Sequence, residues 1–206
     1  MRLWVLSDLH LEKRPLIAFP PPEFDCLVCA GDVWNEIGKS ISTIAGLAAG
    51  RPAVFVAGNH EYWSDDDPIE VGRILAEHEG VHLLECDTIV IGGVKFAGAT
   101  LWEPDHGKFA SSLSMLAEAR ADVIITHYPP TPEALVASRA TWWIHGHVHG
   151  HELREIGGTC VLRNALGYPG ERCVASDGVT AAPFRPDFVI EIWPTFVRDS
   201  GRQPAP

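Results

Sequence analysis

Trp142-Trp143-Ile144-His145-Gly146-His147-Val148-His149 begins as an apolar run and ends in three imidazoles at alternate positions. The run is too short for a helix, and its unbroken apolarity suits a strand covered on both faces. The same shape occurs four more times. Residues 3–6 lead to Asp8-Leu9-His10, residues 26–30 to Gly31-Asp32, residues 53–57 to Gly58-Asn59-His60-Glu61, and Val123–Thr126 to His127. In open α/β sheets ligands bind just beyond the carboxyl ends of strands, so groups this far apart in sequence are expected to meet in space.

Helical patterning fills two of the gaps. Residues 40–49 place Ile41, Ile44, Ala45 and Ala48 on one side, and residues 69–79 follow Asp67-Pro68, an N-cap with proline at the first helical position. Later, alternating runs flank Gly92-Gly93 (88–91 and 94–99) and Gly157-Gly158 (152–156 and 159–163). Gly-Gly supplies the positive φ of two-residue hairpin loops, so these parts read as antiparallel. With a last strand at 188–193, the pattern predicts two mixed sheets with helices outside.

Composition narrows the class. The 206 residues are 46% apolar, enough for one buried core, and a single domain is expected over 1–197 with a flexible tail at 198–206. Sixteen Lys+Arg against 27 Asp+Glu give a formal charge of −11, which disfavours extended nucleic acid and anionic membranes. A phosphate-bearing partner then needs a local positive centre. No stretch approaches the roughly 20 apolar residues of a membrane span, and residues 3–6 fall short of a signal-peptide core of about 7–15. Cys26, Cys29, Cys86, Cys160 and Cys173 are odd in number and scattered, which fits a reducing cytoplasm. A soluble, cytoplasmic protein is expected.

The polar stops offer imidazoles, carboxylates and one carboxamide, but no thiolate. Mixed N/O ligation suits Mn, Fe, Zn, Ni or Co. Asp8, His10, Asp32, Asn59, His127, His147 and His149 exceed what one tetrahedral ion can use, and suffice for two ions sharing a carboxylate.

These five motifs, in this order from Asp8 to His149, resemble those of the calcineurin-like metallophosphoesterase superfamily, in a small, uncapped bacterial-type form. The resemblance implies an α+β fold, a four-layer α/β/β/α sandwich of two mixed sheets flanked by helices. It implies two divalent cations, Mn2+ favoured, with Asp8, His10 and His149 on one, Asn59, His127 and His147 on the other, and Asp32 bridging. The implied reaction is hydrolysis of a phosphodiester or phosphomonoester by a metal-bridging hydroxide, with His60, Asp32 and Asn59 as the catalytic set and His60 facing substrate. Two carboxylates against two divalent ions leave the centre positive, able to attract what the acidic surface repels.

Around this set, Glu61 is expected to orient the His60 ring through a hydrogen bond. Arg14, with Lys13, is a candidate for a phosphate oxygen, and Trp34, Tyr62, Trp102 and Tyr128 are candidate walls for the substrate's organic group. Many small relatives carry Asn-Pro-Arg-Gly-Tyr where this chain reads Asn164-Ala165-Leu166-Gly167-Tyr168, so an arginine clamp is missing there. With little room for a cap, a small phosphodiester or nucleotide is the expected substrate. The alternatives are a protein phosphatase or nuclease, or a non-catalytic scaffold on the same fold; the intact ligand set favours an enzyme.

Other features read as structural. Cys26-x-x-Cys29 lies in an apolar run, as two buried small residues. Asp65-Asp66-Asp67 suits a helix N-terminus. His145 and His151 are expected behind the ligands or in solvent. Gly150 stands where a metallo-β-lactamase run needs aspartate, and no Gly-x-Ser-x-Gly elbow is present.

Overall fold

A computed structural model describes residues 1–14, 20–64, 67–173 and 181–193. The apolar runs form strands. One sheet is ordered β11-β1-β2-β3-β4, from β1 (Arg2–Leu6), β2 (Cys26–Cys29), β3 (Ala53–Phe55), β4 (Val81–Leu83) and β11 (Val189–Glu191). Its strands are parallel except β11, which pairs antiparallel with β1. The other is ordered β5-β6-β7-β8-β10-β9, from β5 (Asp87–Ile91), β6 (Val94–Ala99), β7 (Val123–Thr126), β8 (Trp142–His145), β9 (Gly150–Ile156) and β10 (Thr159–Ala165). Here β6, β7, β8 and β10 run parallel, and the Gly-Gly hairpins add β5 and β9 antiparallel at the two edges.

Because side chains alternate along a strand, each sheet serves two cores. Leu3, Val5, Cys26, Val28 and Val54 face inward and meet Phe96, Val123, Ile125, Ile144 and Leu162 of the opposing sheet. Their alternates Trp4, Leu6, Leu27, Cys29 and Phe55 face outward onto Ile41 and Ile44 of α1 (Ile37–Ala48) and Ile69 of α2 (Pro68–Glu79). On the other outer side, Ala97, Ile124, Trp143 and Val161 pack with Leu116 of α3 (Phe109–Glu118) and Leu135 of α4 (Pro132–Ser138). The result is the α/β/β/α sandwich. Cys26 and Cys29 belong to different cores, and all five cysteines are free thiols.

Several boundaries move. The first helix begins at Ile37 rather than at residue 40, one turn earlier, with Ile37 buried on the same face as Ile41 and Ile44, and the Ser40 hydroxyl lies inside it on Glu61. Ala45 is only partly buried. α2 starts at Pro68 after Asp67 as expected, and Gly80, at φ 70°, closes it. The last strand is shorter than residues 188–193. β4, α3 and α4 add elements not read from the sequence, although α4 carries a plain start signal: Thr131 Oγ1 accepts from the Ala134 N–H, with proline next. Asp65, Asp66 and the proposed tail at 198–206 lie outside the described residues. Among the described residues no helix is long and apolar enough to cross a membrane.

Candidate metal centre

Parallel pairing brings the carboxyl ends of β1, β2 and β3 to one end of their sheet, and those of β7 and β8 to one end of the other. The backbone then ties these ends together. Ser7, just past β1, bridges to Ala165 at the end of β10, the Leu166 N–H donates to the Ser7 carbonyl, and the Gly167 N–H donates to that of Asp8. The Asp8 and His10 N–H groups donate to the carbonyls of Gly31 and Asp32 at 2.9 and 3.0 Å. All the polar stops therefore share one junction.

The junction is tight and partly strained. Asp8, His10, Asp32 and His147 hold φ of 52°, 45°, 56° and 64°, a left-handed backbone that costs about 1–2 kcal/mol for a residue with a side chain. Glycines provide the clearance. A Cβ on Gly58 would stand 2.1 Å from Asp32 Oδ1, and one on Gly146 would stand 2.5 Å from the Ala30 carbonyl and 2.7 Å from Asp8 Oδ2.

Donor atoms converge in this space. His10 Nε2 lies 3.1 Å from His149 Nε2, which lies 3.5 Å from Asp8 Oδ1. Asn59 Oδ1 lies 3.0 Å from His127 Nε2, which lies 3.5 Å from Asp32 Oδ2. The same Asp32 oxygen is 3.9 Å from His10 Nε2 and 3.8 Å from His60 Nε2, so it occupies the middle of the cluster. Two donors each about 2.0–2.2 Å from one ion stand about 3.0–3.5 Å apart, which these separations approach. Among the described residues three trios have ligand atoms all within 4.8 Å of one another: Asp8, His10 and His149; Asp8, Asp32 and His127; and His10, Glu12 and His60. The His147 ring belongs to none of them. It stands 5.2 Å from the His127 ring, while its backbone N–H is held by both Asp8 oxygens at 3.0 and 3.1 Å.

Electrostatics favour a cation. Burial alone would raise Asp8, but its hydrogen bond with His149 and the charges of His127 and His149 hold it at about 2. Burial, and then the Asp8 charge, push Asp32 well above the ordinary carboxylate range. Burial is the chief force lowering His10 to about 3 and His60 and His147 to about 4, which leaves neutral imidazoles with lone pairs. For His149 burial opposes charge, yet the hydrogen bond and charge of Asp8, with Glu171, outweigh it and raise the group to about 9. Two buried carboxylates, one of them starved of positive charge, beside the neutral imidazoles of His10 and His147 and a His149 that would give up its proton to a metal, form a set that fits divalent metal ions.

The surrounding groups depart from expectation. Glu61 does not reach the His60 ring. It is buried beside it, accepting from the N–H groups of Asp32, Val33, Trp34 and Gly58 and from the Ser40 hydroxyl, so it shapes the Asp32 and Gly58 loops. Arg14 donates to the Gly167 carbonyl and braces that turn rather than presenting its guanidinium to a phosphate, and Lys13 is exposed. Trp34 packs towards α1, its Nε1 donating to Thr43 Oγ1 at 3.0 Å, and is no wall of the site. Tyr128 is one: its ring lies 4.2 Å from that of His147 and 5.8 Å from Trp102, which meets Tyr62 edge-on at 5.0 Å. His145 is buried with Nδ1 on the Gly146 carbonyl, and His151 Nδ1 faces Asn164 Oδ1 at 3.1 Å.

Four contributors escaped the sequence reading. Glu12 and Asn35 flank His60, Glu171 lies 2.5 Å from His149 Nδ1, and Tyr168 stacks on His10 at 4.2 Å with its hydroxyl 3.0 Å from His60 Nε2. Glu12 and Asn35 carried a usable signal, each lying within three residues of a candidate ligand, and Tyr168 ends the Asn164–Tyr168 stretch already set against its relatives.

Known proteins resemble this chain in sequence and in fold. A metallophosphoesterase of Campylobacter jejuni, itself uncharacterised, is 24% identical over an alignment covering 74% of this chain and 45% of that protein, so the chain spans less than half of that relative's length. The fold is similar to that of phosphopantetheinyl hydrolase from Mycobacterium tuberculosis (TM-score 0.56, 18% identity, 81% of this chain and 89% of that one). It is also similar to a putative 5'-nucleotidase from Staphylococcus aureus crystallised with alpha-ketoglutarate (TM-score 0.55, 14% identity, 97% and 57%). Residues 1–151, which run from β1 through the last of the converging histidines, match the calcineurin-like phosphoesterase family, and the chain belongs to it.

Proposed function

We propose that the protein is a dinuclear metal-dependent phosphoesterase acting on a small phosphodiester or nucleotide, with phosphomonoesters as the other substrate class. The observation that carries this reading is the convergence of Asp8, His10, Asp32, Asn59, His127 and His149 at ligand spacing around the Asp32 oxygen. Asp8, His10 and His149 would hold one ion and Asn59, His127 and His147 the other, with Asp32 shared; Mn2+ is the favoured metal. Bound there, two divalent ions would make a nucleophile available from water at neutral pH and draw charge from the phosphoryl oxygens.

The chain's own residues do the rest. His60 Nε2, 3.8 Å from Asp32 Oδ2, is within reach of a phosphoryl group lying over Asp32. There the imidazole steadies charge or gives a proton to the leaving oxygen, a role worth about 10²–10⁴-fold in rate. Tyr128 and Trp102 border a recess of about 200 Å³ that would take a small organic group. The net charge of −11 supports a compact substrate over extended nucleic acid. Five free thiols support a reducing cytoplasm as its location.

The test is metal analysis of the purified protein joined to a panel of mono-, di- and cyclic phosphoesters. Hydrolysis that depends on added Mn2+ and disappears with chelator supports the reading. Two bound metals with silence across the panel would refute it.

A further inference from the structure

His60 opens a short 3₁₀ turn, His60–Tyr62, and Trp63 closes it by donating its backbone N–H to the His60 carbonyl at 3.0 Å. Residues three apart eclipse one another in such a turn, so the Trp63 side chain comes to rest on that of His60. The two rings stack with centroids 3.8 Å apart and planes 26° from parallel. The next residue is tied to the same place: Ser64 Oγ donates to the Asn35 carbonyl at 2.6 Å, and Asn35 Oδ1 faces His60 Nδ1 at 3.0 Å.

One face of the indole is taken by His60 and the other is open. Trp63 is 59% exposed, whereas Trp4 and Trp143 are fully buried, and among the described residues no second ring or cation lies on it. A scattered exposed apolar side chain needs no special reason. This one lies flat against the imidazole read as facing substrate, and an indole face open to water beside that imidazole suits a second flat ring.

Position says which part of the substrate would reach it. His60 Nε2, 3.8 Å from Asp32 Oδ2, stands where the leaving oxygen is read to depart. The organic group carried by that oxygen passes His60 and meets the Trp63 face next. The recess at Tyr128 and Trp102 adjoins His147 instead, and so suits a group that stays on phosphorus.

We propose that Trp63 is a specificity-determining platform for a nucleobase, so that the substrate is a phosphoester whose leaving alcohol is a nucleoside. This rests on the phosphoesterase reading, with His60 beside the leaving oxygen. Water adds across the ester bond: its oxygen joins phosphorus, the P–O bond to the nucleoside breaks, and one hydrogen of the water ends on the freed oxygen as the nucleoside's hydroxyl. Every base has a π-face, so the platform selects a base over no base more than one base over another.

The first readout needs neither metal nor turnover. In 1H–15N spectra of the metal-free protein, the Trp63 indole N–H, assigned by its loss in Trp63→Leu, is expected to shift on titration with millimolar adenosine and to stay in place with ribose. With Mn2+-loaded protein, the methyl ester of adenylate is expected to give adenosine and methyl phosphate. There kcat/KM for adenylate and its methyl ester is expected to exceed that for the corresponding ribose phosphates. Trp63→Leu is expected to shrink this ratio about 5- to 100-fold, and Trp63→Phe, which keeps a flat ring, to shrink it less.

An indole signal that ignores adenosine overturns the proposal, as does release of methanol and adenylate from the methyl ester. So does a ratio that Trp63→Leu leaves unchanged while kcat falls on all the esters alike, since Trp63 would then only brace His60. Metal-loaded protein that hydrolyses none of these esters would remove the phosphoesterase reading and the leaving-group assignment with it, while an adenosine-dependent shift would keep Trp63 as a base-binding surface.

Discussion

Gly58 has backbone angles open to other residues, yet no side chain fits there, since a Cβ would stand 2.1 Å from Asp32 Oδ1. Gly58→Ala is expected to displace the Asp32 carboxylate and lower metal affinity at least about 10-fold, as loss of a ligand's supporting contacts does, which titration calorimetry with Mn2+ would measure. Asp32→Asn is expected to weaken both ions together, whereas Asn59→Ala chiefly weakens one; metal-to-protein ratios after dialysis separate the two, and independent equal losses would contradict a shared Asp32. The convergence of Asp8, His10, Asp32, Asn59, His127 and His149 was legible because each stands where an apolar run stops. The contact of Tyr168 with His60 was not, because the two stand 108 positions apart in the chain. Glu61 was misread for a related reason: adjacency to His60 suggested a ring contact, but the buried carboxylate is claimed by five donors, four of which only the fold brings near.

Glycines at two other places show how elements depend on local backbone demands. Gly46 is exposed within α1 with open space around its Cβ position, so Gly46→Ala is expected to stabilise the protein by about 0.5–1 kcal/mol. Gly158 turns the β9–β10 hairpin at φ 88°, so Gly158→Ala is expected to cost about 1–2 kcal/mol. Urea midpoints for the two variants should move in opposite directions. Both hairpins were legible because Gly-Gly between alternating runs has few other uses. β4 was not, being only three residues long and defined by its pairing with β3. α3 begins without a side-chain cap, so its start left little trace in the sequence. The start of α1 was placed late because the reading rested on the apolar positions from Ile41 onward, and Ile37 one turn earlier was not counted with them.

Across the whole molecule, buried imidazoles set the response to acid. Burial is the main force lowering His145 from 6.5 to about 4, so above pH 6.5 both folded and unfolded chains hold it neutral. Between pH 6.5 and about 4 the unfolded chain binds the proton and the folded one resists it, so stability falls as pH falls, by up to about 3 kcal/mol from this group. In metal-free protein the urea midpoint is expected to drop over that window, and His145→Asn, which retains a donor for the Gly146 carbonyl, to flatten the drop. The two-sheet architecture was legible because strands buried on both faces need layers on both sides, and the terminal strand because it completes an edge beside β1. The four left-handed side chains at Asp8, His10, Asp32 and His147 carry a different kind of consequence. Glycine at those positions would relax the backbone, so a library selected only for heat resistance should drift towards it and emerge sturdier and inert. Durability and chemistry pull this sequence in opposite directions at the same four codons.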